Sequence, residues 1–345
     1  MIKVKNIYYM LSYAFQSLNE NAYKKIQTED FENVAELFSE ILIVGVSAQI
    51  KQGLVRDYID ITETTSSIRG KINISESINN QSFIKKQLNC TYDEFSPNCY
   101  LNQIIKSTMA ILVKSDISKM RKKKLKNLLM YFRDVDLIDL KSINWKIRFD
   151  RNNQTYRMLI GVCYLVVNGL IHTQKSGNVK LMEFLDDQKM SRLYEKFILN
   201  YYKKEHPEIK AHAPQIPWQI DDGIDFLLPK MQTDVTLEYE EKILIIDAKY
   251  YGRNLSKHYG KDIHHTGNIY QIFTYVKNKQ LEMQGNDVEI KGMLLYARTT
   301  SEIQPDSDYV MSGNKICVKT LDLNQDFDVI KKQLDDIVDN NLFNK

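Results

Sequence analysis

Through much of the N-terminal half, apolar side chains return every three or four positions, the period of a helix with one buried face. Ile7, Leu11, Phe15 and Leu18 share such a face, and Asn6 stands where an N-cap would. From about Asp30 to Gln52 a second stripe carries Phe31, Val34, Leu37, Phe38, Ile41 and Leu42. Val55 to Thr62 alternates like a strand, and Ile68 to Ile74 reads as another around Gly70. Pro97 and Asn98 then open a helix striped by Leu101, Ile104, Ile105, Thr108 and Leu112. A long helix follows from Gln154 to about His172, buried by Tyr156, Leu159, Cys163, Val167 and Leu170. The loop at 173–180, with Gly177, is the expected domain boundary.

Beyond that loop the periods mix. Asp187 can cap a helix over 188–205 with Leu193, Phe197 and Tyr201 on one face, and Glu195 beside Leu199 and Tyr202 on the next. Between Pro229 and Tyr251 the period becomes two. Val235, Leu237 and Tyr239 alternate with Asp234, Thr236 and Glu238, as in a half-buried strand. Ile243, Leu244, Ile245 and Ile246 form an unbroken apolar run, as in a strand covered on both faces. The helix from about Asn268 to Asn278 buries Ile269, Ile272, Phe273 and Val276, and places Gln271 and Tyr275 one above the other. Strands at Met293–Arg298 and Lys315–Thr320 and a helix from Asp326 to Asn340 complete the chain. The expected fold is α/β, an α+β arrangement of two domains. Residues 1–180 form a mainly helical domain with a small β element, and residues 181–345 a mixed sheet flanked by helices.

The central hairpin carries the candidate chemistry. A tight turn at Glu240–Glu241 sets Asp234 directly across from Asp247 on one face, with Cβ atoms about 4.5–5.5 Å apart. Lys249, two residues further, shares that face. Two carboxylates this close repel and need a cation. A hard divalent ion such as Mg²⁺ takes one or two carboxylates, with waters and phosphate oxygens completing its shell. Such an ion activates water and stabilises charge on a phosphodiester. The lysine can orient or deprotonate the water, or neutralise developing charge. The bland alternative is a salt bridge on a surface hairpin.

Composition narrows the field. With 345 residues, 43% hydrophobic and 26% charged, the chain has the makeup of a globular protein large enough for two cores. A net charge of +3 does not by itself argue for nucleic acid. Four cysteines, Cys90, Cys99, Cys163 and Cys317, show no zinc spacing, so reduced thiols and a cytoplasmic setting are expected. The N-terminus has no signal-peptide pattern, and the most apolar run, Leu159 to Ile171, is too short to span a bilayer. Residues 114–133 hold eight basic side chains against Asp116 alone, either a grip on DNA phosphate or the wet face of a helix with Leu125, Leu128, Leu129 and Phe132 inside. His258 to His265 reads as a loop, DNA-contacting or merely polar. No G-x-x-x-x-G-K-[ST] occurs, so the chain carries no P-loop.

The hairpin with Asp234, Asp247 and Lys249 resembles the core of the PD-(D/E)xK nuclease superfamily, with Thr233 where that superfamily often has proline. NIYYMLSYAF (6–15), IRGKI (68–72), YDEFSPNCYLNQIIKSTMAIL (92–112) and TDVTLEYEEKILIIDAKYY (233–251) together resemble the McrC family, the nuclease subunits of McrBC modification-dependent restriction systems. The resemblance covers nearly the whole chain, with the blocks in the family's order. It implies a restriction-endonuclease-like C-terminal domain that hydrolyses DNA phosphodiesters with Mg²⁺, Mn²⁺ substituting. By resemblance, Asp234, Asp247 and the Ala248 carbonyl would ligate the metal and Glu195 would join directly or from an outer position. Lys249 would handle the water. Gln271 and Tyr275 resemble the Q-x-x-x-Y motif of the RecB-like branch, where the glutamine holds the attacking water or a phosphate oxygen. The expected partners are methylated double-stranded DNA and a hexameric AAA+ GTPase of McrB type, whose GTPase the N-terminal domain would stimulate. A stand-alone RecB-like repair nuclease and a non-cutting assembly subunit stay open as alternatives.

Overall fold

A computed structural model of the chain describes residues 2–150, 153–176, 187–223, 226–258 and 261–343. In chain order the elements are α1 (Val4–Ala14), α2 (Lys24–Thr28), α3 (Val34–Gln52), β1 (Asp57–Thr65), β2 (Lys71–Ile72), α4 (Ile74–Asn79), β3 (Leu88–Ser96), α5 (Tyr100–Lys114), α6 (Lys119–Leu129) and α7 (Tyr156–Ser176). There follow α8 (Asp187–Glu205), β4 (Lys210–His212), β5 (Gln215–Ile216), β6 (Met231–Gln232), β7 (Val235–Tyr239), β8 (Lys242–Lys249), β9 (Leu255–His258) and β10 (Lys261–His264). The last are α9 (Thr266–Glu282), β11 (Glu289–Ala297), β12 (Ser307–Met311), β13 (Asn314–Leu321) and α10 (Phe327–Val338). Among the described residues no helix is long and apolar enough to cross a membrane.

The chain forms two compact units, one of Met1–Asp30 with Leu185–Lys345, the other of Phe31–Phe184. This differs from the expected cut near residue 180, which put the first thirty residues with the N-terminal domain. The reason is what the apolar face of α1 meets. Tyr9 stacks on Phe327 with ring centroids 4.1 Å apart, and Tyr13 packs edge-on against Phe197. Tyr13 also donates to Glu205 Oε1 at 2.8 Å. Asn6 is a second departure. It does not cap α1, which starts earlier, but lies within it and donates from Nδ2 to the carbonyls of Leu323 and Gln325. Of the expected loop 173–180, residues 173–176 still belong to α7, and 177–180 lie outside the described residues, as does any cap by the Asp187 side chain.

The unit Phe31–Phe184 joins helices α3, α5, α6 and α7 to a three-stranded sheet of order β1-β3-β2. Asn33 caps α3 by accepting from the Glu36 amide. The expected stripe on α5 is buried throughout. Asn102 is fully buried and ties the sheet to the helices. Its Nδ2 donates to the carbonyls of Val55 and Pro97, and its Oδ1 accepts from Tyr156 Oη. The strand expected over Ile68–Ile74 shrinks to Lys71–Ile72, because Ile74 already begins α4. Gly70 has φ +56°, and a Cβ there would lie 2.3 Å from the Thr91 carbonyl oxygen, so only glycine fits. The basic run is mainly wet, as one reading had it. Leu125 and Phe132 are buried and most of the lysines exposed. Arg121 is the exception, buried against the carboxylates of Glu36 and Glu40.

The other unit is built on a six-stranded mixed sheet of order β12-β13-β11-β8-β7-β4. The central strands β8, β11 and β13 run parallel, while β7 and β12 lie antiparallel to their neighbours. α9 is the crossover between parallel neighbours β8 and β11, and parallel strands need such a crossover. Its Ile272 and Val276 pack onto Ile243, Ile245, Ile290 and Leu294. Gly292 lets the helix approach: a Cβ there would be 2.8 Å from Val276 Cγ2. The opposite face belongs to α8 and α10, joined by bonds from Tyr201 to Asp335 and from Tyr202 to the Leu334 carbonyl. Side chains alternate along β8, so Asp247 and Lys249 follow Ile243 and Ile245 toward α9. Within His258–His265, expected as a loop, His258 ends β9 and Lys261–His264 form β10, antiparallel to it.

Candidate active site

The expected hairpin register holds. Val235 pairs with Ile246 and Tyr239 with Lys242 around the turn at Glu240–Glu241, and Glu240 takes φ +49° to make it. Asp234 stands one residue before β7, next in line across from Asp247. Its Oδ2 accepts from the Ala248 amide at 2.9 Å, which fixes its carboxylate at the end of β8. Thr233 occupies the position where proline was the common alternative. Its amide and hydroxyl both donate to the Pro214 carbonyl, at 3.2 and 3.1 Å, a pairing proline could not make.

Asp247 is 1% exposed. Lys249 Nζ lies 2.8 Å from Asp247 Oδ2, yet off hydrogen-bond alignment. That oxygen therefore has no directed donor among the described residues. Lys249 Nζ donates instead to Gln271 Oε1 at 3.1 Å. Gln271 Nε2 donates to Tyr275 Oη at 2.8 Å, and Tyr275 donates to the Gln232 carbonyl at 3.1 Å. A relay thus runs from β8 across α9 to β6 and fixes each polar group by the next. Asp234, Asp247, Ala248, Lys249, Gln271 and Tyr275 are brought together. Glu195 is half-buried on α8, and its Oε1 accepts from Ser191 at 2.9 Å.

Burial and mutual repulsion set the electrostatics of the carboxylate pair. Burial, then the neighbouring charges of Asp247 and Glu195, push Asp234 up to about 8. Burial also raises Asp247, against the opposing pull of Lys249. For Lys249, burial alone would lower the pKa, but Asp247 and Asp234 outweigh it and hold the ammonium protonated above its ordinary range. Among the described residues no three His, Cys, Asp or Glu side chains gather as a metal-binding group. Asp234 and Asp247 set two carboxylates side by side, a pair that suits a hard ion that keeps waters and takes phosphate oxygens. Asp247 Oδ2, ion-paired with Lys249 but met by no aligned donor among the described residues, fits such an ion. Nothing in the spacing of the sequence indicated the Gln232 carbonyl, which receives Tyr275; its place just before Asp234 was the available hint.

The chain matches the family model of the McrBC 5-methylcytosine restriction system component over residues 3–297. It belongs to that McrBC component family. Among curated proteins it is similar to the type IV methyl-directed restriction enzyme EcoKMcrBC of Escherichia coli K12, at 30% identity over 345 residues, covering 98% of each chain. Two solved structures of Thermococcus gammatolerans McrBC assemblies are similar at lower levels. One, McrB AAA+ hexamers with bound McrC, has a TM-score of 0.46 at 15% identity, covering 94% of this chain and 75% of that one. The other, a McrBC complex, has a TM-score of 0.42 at 18% identity, covering 58% of each. All the sequence blocks first noted for the resemblance fall within the span matched by the McrBC family model.

On the nuclease reading proposed below, Lys249→Ala is expected to abolish cleavage while Mn²⁺ affinity, measured by calorimetry, changes less than about threefold, because that reading gives lysine no place among the ligands. Lost metal affinity with cleavage retained would reverse the roles of lysine and carboxylates.

Proposed function

We propose that the carboxyl edge of β8 is the hydrolytic centre of a metal-dependent endodeoxyribonuclease, the cutting subunit of a methylcytosine-directed restriction complex. The observation that carries this reading is the buried Asp247, its Oδ2 without a directed donor, set beside Asp234 and Lys249. Asp234, Asp247 and the Ala248 carbonyl would hold Mg²⁺, or Mn²⁺ in its place, with Glu195 in support. Bound there, the ion supplies a more acidic water and stabilises charge on the phosphodiester. Lys249, held as an ammonium, donates toward developing negative charge rather than accepting a proton. Gln271 aims that ammonium through its Oε1, and Tyr275 fixes the amide orientation through its Nε2.

The family and the Escherichia coli relative, a methyl-directed restriction enzyme, support methylated DNA as substrate. The lack of a P-loop motif supports a separate McrB-type AAA+ GTPase as the source of nucleotide hydrolysis. The test is to mix the chain with its cognate AAA+ subunit, GTP, Mg²⁺ and methylated plasmid. The mixture is expected to cut and to turn over GTP faster than the partner alone, while the isolated chain does neither. Full cutting by the isolated chain without GTP would identify a stand-alone repair nuclease instead. The fragment to assay for GTPase stimulation is 31–184, not 1–180, because the longer one strips Tyr9 and Tyr13 of α1 from Phe327 and Phe197.

A further inference from the structure

The hairpin β9–β10 contributes no strand to the central sheet; it is a two-stranded sheet of its own. An isolated two-stranded ribbon is marginally stable in water, so this one depends on how its base is held. Its base is firmly held. Asn254 is 1% exposed and donates from Nδ2 to the Ala297 carbonyl at the end of β11. His265 Nε2 pairs with the Arg253 carbonyl at 3.1 Å and closes the base. His264 Nε2 lies 2.9 Å from Tyr309 Oη on β12. Tyr251 Oη donates to Asn268 Oδ1 on α9 at 3.3 Å. The ribbon therefore leaves from the end of β8 that carries Asp247 and Lys249, and returns into the helix that carries Gln271.

Its exposed surface is basic. Arg253, Lys257 and Lys261 are exposed, and Asp262 is the one acid between residues 253 and 265. Lys257 and Asp262 are direct cross-strand partners, so one lysine has an acid opposite it while Arg253 and Lys261 do not. A two-stranded ribbon has the dimensions to enter or follow the major groove of a duplex, and exposed lysines and arginines gain affinity from phosphate.

We infer that β9–β10 is a duplex-holding ribbon, in which Arg253, Lys257 and Lys261 grip backbone phosphates next to the bond presented to Asp234 and Asp247. The inference rests on the nuclease reading and adds to it the surface that seats the DNA. Phosphate contacts position the duplex without reading sequence. Three such contacts give log affinity a slope of about −2.7 against log salt.

The experiment uses the full chain carrying Lys257→Glu and Lys261→Glu. Both side chains are exposed, so no packing is lost. Fluorescence anisotropy with a methylated duplex of about 30 base pairs, at several salt concentrations, reads the grip. The expected result is at least about tenfold weaker binding near physiological salt and a salt slope shallower by about 2. Partner GTPase stimulation and the melting temperature should be unchanged, and cleavage in the mixture should fall. Wild-type binding and slope would overturn the inference. If Asp247→Asn still abolishes cutting in that case, the nuclease reading survives without the ribbon. Unchanged DNA binding with lost GTPase stimulation would make the ribbon a protein-docking surface and also overturn it. If neither the ribbon variant nor Asp247→Asn affects cutting, the nuclease reading itself fails.

Discussion

The metal-free protein is expected to lose stability as pH rises from about 4 to 8, and Asp234→Asn to remove most of that loss. In the native state Asp234 keeps its proton to about pH 8, whereas in the unfolded chain it loses it near the ordinary value of 3.8. Between those limits the native state binds more protons than the unfolded one, so stability falls with rising pH and levels off above the native value. Asp247 is raised as well, and the two carboxyls titrate as a pair. Lys249 is raised from 10.5, so its contribution is fully present across this window and is lost only at higher pH. Asparagine keeps the bond from the Ala248 amide but carries no charge, so the variant should gain on the order of 4 kcal/mol over wild type at pH 8. At pH 4 the two should be nearly equal. Urea unfolding in chelator at several pH values measures the difference. A gap that does not widen with pH would mean that the pair is not held protonated by burial and mutual repulsion.

Glu36→Ala is expected to destabilise the helical unit by about 3–5 kcal/mol, as removal of one partner from a buried ion pair does. Arg121 and Glu36 side chains are 7% and 5% exposed and in contact. Arg121 Nε also reaches Glu40 Oε2 at 2.9 Å, and the guanidinium lies over the Phe31 ring. Glu36 accepts from the Ser118 amide too, which fixes the start of α6. Removing it strips a buried guanidinium of one carboxylate and takes the acceptor from the Ser118 amide. The triple replacement Glu36→Leu, Glu40→Leu, Arg121→Met should recover much of the loss, since the cost lies in the stranded charge. A Glu36→Ala cost below about 0.5 kcal/mol would show that water reaches the site.

What could be read from the residues followed their local physics. The β7–β8 register was legible because a tight turn and a two-residue alternation leave one pairing that keeps Val235 and Leu237 inside, and that pairing set Asp234 across from Asp247. The relay from Lys249 to Gln271 was not legible, because a whole hairpin separates the two residues and only the β8–α9–β11 crossover brings them together. The site of α1 was hidden for a similar reason: an amphipathic face says that it is covered, not by what, and Tyr9 finds Phe327 at the far end of the sequence. β3 escaped notice because TYDEFS is polar on both faces and pairs across an exposed sheet. Arg121 was lost in a lysine-rich run whose other members face water. The hairpin β9–β10 has little apolar alternation to reveal it, since its side chains mostly face solvent.

The most direct measurement is cleavage of methylated plasmid by the chain and its AAA+ partner with GTP and Mg²⁺, comparing wild type with Asp247→Asn. The variant should cut at least about a thousandfold more slowly, as loss of a principal charge-stabilising group does. It should still stimulate GTP turnover fully and melt no lower than wild type. Cutting at the wild-type rate by a folded Asp247→Asn protein would place the hydrolytic centre elsewhere.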